Sequence, residues 1–176
     1  MRSYIVARQR GTRDAESCTL VRRDMSARVR LKDIMDALEM QFEGHSSFLD
    51  CVTGEVETVS NDLLSGAEEG EEPDLPEWQR QEWEAAKQIV STTRFLKLPT
   101  QFDIHEWQIM RDFADSLDSG RIRDDLLFAL HGAGAFRHFK HAIRRYGIES
   151  AWCEYRAEAL KEIAVEWCEE HRIEWE

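Results

Sequence analysis

The residues whose types and spacing could do chemistry are gathered in Gly132-Ala133-Gly134-Ala135-Phe136-Arg137-His138-Phe139-Lys140-His141-Ala142-Ile143-Arg144-Arg145-Tyr146-Gly147. Two glycines release the chain and a third stops it, so the segment between reads as a helix. Arg137, Lys140, His141, Arg144 and Arg145 recur three or four residues apart, and several therefore share a helix face. Placed just after a glycine-bounded helix start, such cations suit an anion: free N–H groups and the positive dipole end attract it, and arginine adds bidentate bonds. Gly134, Arg137, His138, Lys140, His141, Arg144 and Arg145 are accordingly the candidate contact residues for an anion or a partner. The segment lacks the GxxxxGK[ST] and GxGxxG patterns of dedicated phosphate loops. In an acidic chain the first partners expected for these cations are internal, on nearby acidic helices, with Asp112, Asp115, Glu154 and Glu158 the candidates. Isolated exposed pairs of that kind contribute only about 0–1 kcal/mol each.

Other constellations carry less. His138 and His141 stand three apart with His131 nearby, and Cys168 and His171 repeat the spacing. Zinc needs three or four converging ligands and neither pair supplies a third, so surface or capping roles are expected and no metal site. Cys153 or Cys168 beside a histidine would be the only nucleophilic arrangement, but cysteine is commonly just buried, and Cys168 adjoins a core position. With 35 Asp and Glu no carboxylate pair is distinguished, which leaves general acid–base catalysis without a specific candidate. No serine-centred nucleophile motif or dinucleotide fingerprint occurs. The reading therefore leans away from an enzyme and calls for no catalytic residue and no cofactor. Of six tryptophans, most fall on apolar helical faces and anchor a core. Trp78 and Trp83, five residues apart, do not readily share a face, and one of them is the candidate interface aromatic.

The chain that positions these groups is acidic, with net charge −12, yet its first 30 residues hold eight Arg against three acids, leaving −17 for the rest. A field of that sign repels nucleic acid, which favours a protein partner over nucleic acid. No apolar run reaches the roughly 18 residues of a membrane span, and no signal-peptide core is present. The four cysteines, Cys18, Cys51, Cys153 and Cys168, form no CxxC pair. Reduced thiols and a cytoplasmic address are the default. Oligomeric state is left open.

Residues 1–28 show no sustained period and read as a basic, poorly ordered leader, which a start at Met25 would largely remove. One domain is expected over 29–173, with residues 174–176 frayed. Leu31, Ile34, Met35, Leu38 and Phe42 predict a first helix ended by Gly44. Strand formers flank Thr53-Gly54, predicting a β-hairpin with a loop longer than two residues. An acidic loop spans Gly66 to Asp74, and Pro76 opens a helix to about Ser91. Phe95-Leu96-Lys97-Leu98-Pro99 is extended and its pairing open. Asp103 and Glu106 suggest a capping box before Trp107, Ile109, Met110, Phe113, Ala114 and Leu117. A short helix holds Ile122, Leu126, Leu127 and Leu130. In the basic segment, Phe136, Phe139, Ile143 and Tyr146 predict a core stripe, and Trp152, Tyr155, Ala159, Ile163 and Trp167 a final helix of nearly five turns. The fold class is mainly α: a helical array with one small β-hairpin, α+β by strict count.

Five stretches in this order resemble a known family: Phe48-Leu49-Asp50 through Thr53-Gly54-Glu55, Pro76-Glu77-Trp78-Gln79, Leu98-Pro99 to Ile109-Met110, Gly134 through Lys140, and Ala164-Val165-Glu166-Trp167-Cys168. Together they are similar to uncharacterised protein family 0158, a bacterial family without an assigned activity, over about Val29 to Ile173. The resemblance implies a fold and no mechanism. The family motif runs G-x-G-A-F-R-R-F-K; here His138 stands in the second Arg place and Ala133 where a basic residue is common. Both differences lower the positive charge available for phosphate.

Three functions remain in order. The first is a non-catalytic binding or regulatory module using the 134–146 helix as its contact surface. The second is an enzyme acting on a phosphorylated small molecule or nucleic acid, with Arg137 and Lys140 as anion clamps and a histidine as acid or base. The third is a structural protein–protein interaction partner with an exposed tryptophan.

Overall fold

The structure, a computed structural model, describes residues 28–70 and 74–176. The leader expected over 1–28 lies outside the described residues except for Arg28. Contacts group the chain into two compact units. Among the described residues, one takes in those from Arg28 to Asp103 together with Trp167–Glu176, and the other is Ile104–Glu166. The fold is mainly α with a small antiparallel sheet.

In the first unit, α1 (Leu31–Glu39) buries Leu31, Ile34 and Leu38, the i, i+3, i+7 face that its sequence sets out. It ends before Phe42, contrary to the expected run. Met40 leaves helical geometry at φ −99 and ψ 46, and a turn follows in which the His45 N–H donates to the Phe42 carbonyl. Met40 and Phe42 are consequently exposed.

The hairpin forms as β1 (His45–Asp50) and β2 (Val56–Ser60), with Ser46 opposite Val59 and Phe48 opposite Glu57. Its loop is longer than two residues because Asp50 builds it. The Asp50 N–H donates to the Glu55 carbonyl at 2.9 Å, and its own carbonyl accepts the Gly54 N–H at 2.8 Å. Its carboxylate accepts the Val52 N–H at 2.9 Å and the Thr53 hydroxyl at 3.0 Å. Arg94 then grips both carboxylate oxygens with its guanidinium. The Asp50 side chain is only 5% exposed. Burial alone would raise its pKa; the bonds from Arg94, Val52 and Thr53 outweigh burial and hold the carboxyl at about 2, below its ordinary 3.8.

Arg94 leads directly into β3 (Phe95–Lys97), which pairs antiparallel with β1 and gives the sheet order β2-β1-β3. The extended Phe95–Pro99 stretch is therefore the third strand. A hairpin alone is marginal, and this strand makes β1 central. On β2, Val59 meets Leu63 of α2 (Asn61–Glu69) and Trp83 and Ala86 of α3 (Arg80–Ser91) in one buried cluster. Ser60 caps α2, its hydroxyl oxygen accepting the Asp62 N–H. A 3-10 turn at Glu77–Gln79 follows Pro76 and leads into α3.

At α4 (Gln101–Ile104) the expected pairing of Asp103 with Glu106 is replaced by Thr100 with Asp103. The Thr100 N–H and hydroxyl both donate to Asp103 Oδ2, at 2.8 and 2.7 Å, so the acid reaches back instead of leading. The tail, expected to fray at 174–176, is instead tied down by main-chain bonds. Val29 and Trp175 form a parallel bridge, the Glu176 N–H donates to the Val29 carbonyl at 3.0 Å, and the Leu31 N–H donates to the Glu176 carbonyl at 3.1 Å.

The second unit holds α5 (Glu106–Ser116), α6 (Gly120–Ala129), α7 (Ala135–Tyr146) and α8 (Glu149–His171) as far as Glu166. Its centre is aromatic. The Phe113 ring meets Phe139, Trp152 and Tyr155 edge-on at centroid distances of 6.3, 5.3 and 5.4 Å, and Phe139 meets Trp152 at 5.0 Å. Such T-shaped contacts add about 0.5–1.5 kcal/mol each beyond area burial. The expected α7 stripe is thus buried at Phe139 and Ile143, joined by Ala142, with Tyr146 half-buried. Phe136 is the correction: it lies in the first turn, 48% exposed, and packing begins one turn later.

A basic groove between two helices

The second unit places most of the candidate residues together, and the backbone that does so is the connection from α6 to α7. Gly134, at φ 82, is the residue before α7, and Gly147, at φ 65, closes it. Both sit in the left-handed region where a side chain is strained, which is why glycines bound this helix. The short connection folds α7 back against α6. Between them runs a groove of about 570 Å³. Arg137, His138, His141 and Arg145 of α7 line one wall; Asp125 and Phe128 of α6, with His131 just beyond it, line the other.

Groove-lining and internally paired cations are divided as follows. Arg145 Nη2 lies 2.8 Å from Asp125 Oδ2 and 3.0 Å from the Tyr146 hydroxyl oxygen, and Tyr146 donates to the same carboxylate. The Arg145 guanidinium also lies over the Tyr146 ring, 4.7 Å from its centroid. Arg144 pairs with Glu149 at 3.1 Å. Among the described residues no carboxylate pairs with Arg137 or Lys140. Three of the four internal partners expected from the sequence are engaged otherwise: Asp112 accepts from Gln108, Asp115 lies near Arg111, and Glu158 pairs with Lys161. Lys140 and Arg144 are exposed and do not line the groove.

Two side chains fold back over Gly134. A Cβ placed there would lie 3.4 Å from Arg137 Nη2 and 3.7 Å from His138 Nε2. The glycine therefore leaves open a spot that an arginine and an imidazole both reach. On the opposite wall, His131 donates from Nδ1 to the Leu127 carbonyl at 2.8 Å, which leaves Nε2 as its available nitrogen. Its ring lies beside Phe128, with centroids 6.5 Å apart and planes inclined at 35°. Phe128 itself is 79% exposed.

Asp125, Phe128 and His131 are groove residues not among the sequence candidates. His131 stood close in sequence to the other two histidines, but nothing in its spacing placed it opposite them. Asp125 shows no signal until α7 is known to fold back. Of the tryptophan candidates, Trp78 is exposed and Trp83 is buried within the first unit's core, so of the two only Trp78 presents a ring to the surface.

The remaining chemistry is limited. Burial, with Glu169 next to it, pushes the Cys168 thiol up to about 11, which suppresses the thiolate a nucleophile requires. Among the described residues no group of three His, Cys, Asp or Glu could hold a metal ion, and no helix is long and apolar enough to cross a membrane.

Fold and site together define a mainly helical protein with an arginine- and histidine-lined groove. The sequence matches an uncharacterised protein family, UPF0158, over residues 25–175, and the chain belongs to that family. No curated protein and no solved structure matches the chain.

Proposed function

We propose that this protein is a non-catalytic binding or regulatory module whose contact surface is the basic face of α7 with its groove. The partner is a protein that presents an anionic group. The observation that carries this reading is the division among the α7 cations. Arg144 and Arg145 are committed to Glu149 and Asp125, whereas Arg137 and Lys140 meet no carboxylate among the described residues of a chain with net charge −12. Where acids are in such excess, two open cations one helical turn apart are what an external anion needs. Exposed Phe136 and Phe128 add apolar area beside them. Nucleic acid is disfavoured because the long-range field of the chain opposes a polyanion.

The test is affinity purification from the native host with the wild-type chain and with Arg137→Glu/Lys140→Glu. A partner recovered by the first and lost by the second is expected. A partner set unchanged by charge reversal overturns the reading.

A second reading has one observation in its favour: His131, His138 and His141 all line the same groove as Arg137. An enzyme acting on a phosphorylated small molecule would use such imidazoles as acid or base. Lys140 lies outside the groove, so Arg137 alone of the two expected clamps would serve it. Turnover of phenyl phosphate abolished by His138→Ala/His141→Ala supports this reading, and its absence counts against it.

A further inference from the structure

We infer that the groove between α6 and α7 is a binding site for a phosphate monoester carried on a flat aromatic ring, the phosphate held by Arg137 and His138 and the ring lying on Phe128. This rests on the reading of α7 as an anion-contact surface and goes further by naming the chemistry recognised.

The volume comes first. About 570 Å³ lies within the roughly 300–1,000 Å³ typical of small-ligand sites, and it is much more than one carboxylate requires. The charge follows. Asp125, the one acid in the lining among the described residues, is engaged by both Arg145 and Tyr146, so it is already matched by cation and hydroxyl. Arg137 and three imidazoles remain, with no carboxylate among the described residues bound to any of them. A carboxylate offers two acceptor oxygens and one negative charge. A phosphate monoester has three acceptor oxygens and about 1.5 to 2 negative charges, and it can use the fork and an imidazole together. Arg137 Nη2 and His138 Nε2 both approach the vacant Cβ position of Gly134, which brings those two donors to one place.

The ring follows from Phe128. A phenylalanine 79% exposed at the wall of a charged groove, beside the His131 ring, offers a π-face with nothing on it among the described residues. Aromatic rings stack there without a demand on sequence or hydrogen bonding. Arg137 and Phe128 stand on opposite walls, so a ligand with phosphate at one end and a ring at the other spans the groove.

The experiment is calorimetric titration of the full chain with phenyl phosphate, inorganic phosphate and benzoate. Phenyl phosphate is expected to bind at least about tenfold more tightly than either of the others, a difference of about 1.4 kcal/mol. Arg137→Ala should weaken phenyl phosphate and inorganic phosphate alike by tenfold or more. Phe128→Ala should weaken phenyl phosphate alone, down to the level of inorganic phosphate. Both side chains are exposed, and circular dichroism checks that each variant is folded. Lys161→Ala, which removes a cation outside the groove, should leave all three affinities unchanged. Adenosine monophosphate and a phosphotyrosine peptide then separate the two sources of the ligand, and tight binding of either supports the inference. Phenyl phosphate bound no better than inorganic phosphate, with both still dependent on Arg137, overturns the ring requirement and leaves the anion-contact reading standing. Failure of the wild-type chain to bind phenyl phosphate, or binding unaffected by Arg137→Ala, overturns the inference altogether. The charge-reversal purification then judges the broader reading by itself.

Discussion

Replacing Asp50 by Asn tests the physical account of the first unit most fully. Asn keeps one oxygen, enough for only one of the Val52 N–H and the Thr53 hydroxyl, which bond to different oxygens of Asp50, and it loses the charge that Arg94 grips. Holding the carboxyl at about 2 instead of 3.8 corresponds to about 2 kcal/mol of stability at neutral pH. Breaking a buried charge pair from one side costs about 3–5 kcal/mol when fully dry, and the solvent reaching Arg94 keeps the expected cost near the lower figure. The sign follows from the depressed pKa. Between pH 3.8 and 2 the unfolded chain binds a proton at this site more readily than the folded one. The contribution is therefore complete above about pH 4 and disappears as pH falls toward 2. Urea denaturation of wild type and Asp50→Asn at pH 7 and pH 3 reads both effects. The gap should be about 2 kcal/mol at pH 7 and smaller by about 1 kcal/mol at pH 3. A gap independent of pH would refute the electrostatic origin, and no gap at pH 7 would refute the role of Asp50 in fastening the loop to β3.

The two tryptophans of the α3 region should separate sharply in thermal melts. Trp83→Ala, in the buried cluster with Val59, Leu63 and Ala86, should cost about 3–5 kcal/mol, while Trp78→Ala should stay within about 0.5 kcal/mol. Equal effects would contradict the assignment of Trp83 to the core. Gly134→Ala should cost about 1 kcal/mol because φ is 82, and should also weaken phosphate binding, since the new methyl would fill the space that Arg137 Nη2 and His138 Nε2 both reach. Retained phosphate affinity in a folded Gly134→Ala protein would remove Gly134 from the site. Phe139→Ala, which strips the ring from the T-shaped cluster with Phe113 and Trp152, should cost about 3–5 kcal/mol by chemical denaturation. A cost below about 1 kcal/mol would show that the aromatic centre does not organise the second unit.

What was legible in the sequence depended on how local the physics is. The glycine bounds of α7 could be read directly, because Gly134 and Gly147 adopt a backbone conformation that most residues avoid. The hairpin was legible for the same reason, its turn residues sitting between alternating strand formers. The end of α1 was not. The apolar period runs on to Phe42, and only the turn that binds the Phe42 carbonyl to His45 ends the helix earlier. β3 is three residues long and is defined by what it pairs with, so its status waited for β1. The site divides in the same way. Arg137, His138, His141 and Arg145 share one helix and were grouped by spacing alone. Asp125 and His131 come from another element, and only the return of α7 against α6 brings them opposite. That is also why the wrong acids were expected to pair with the α7 arginines. Asp112, Asp115, Glu154 and Glu158 were expected as partners, whereas packing selected Asp125 and Glu149.

The central claim is that the groove beside α7 receives an anion. Titration of the ¹⁵N-labelled chain with phenyl phosphate, followed through backbone amide shifts, tests it most directly. The account predicts saturable shifts concentrated at Phe128, His131 and Gly134 through Arg145, abolished by Arg137→Ala. Shifts that cluster elsewhere, or that persist unchanged in that variant, would contradict it.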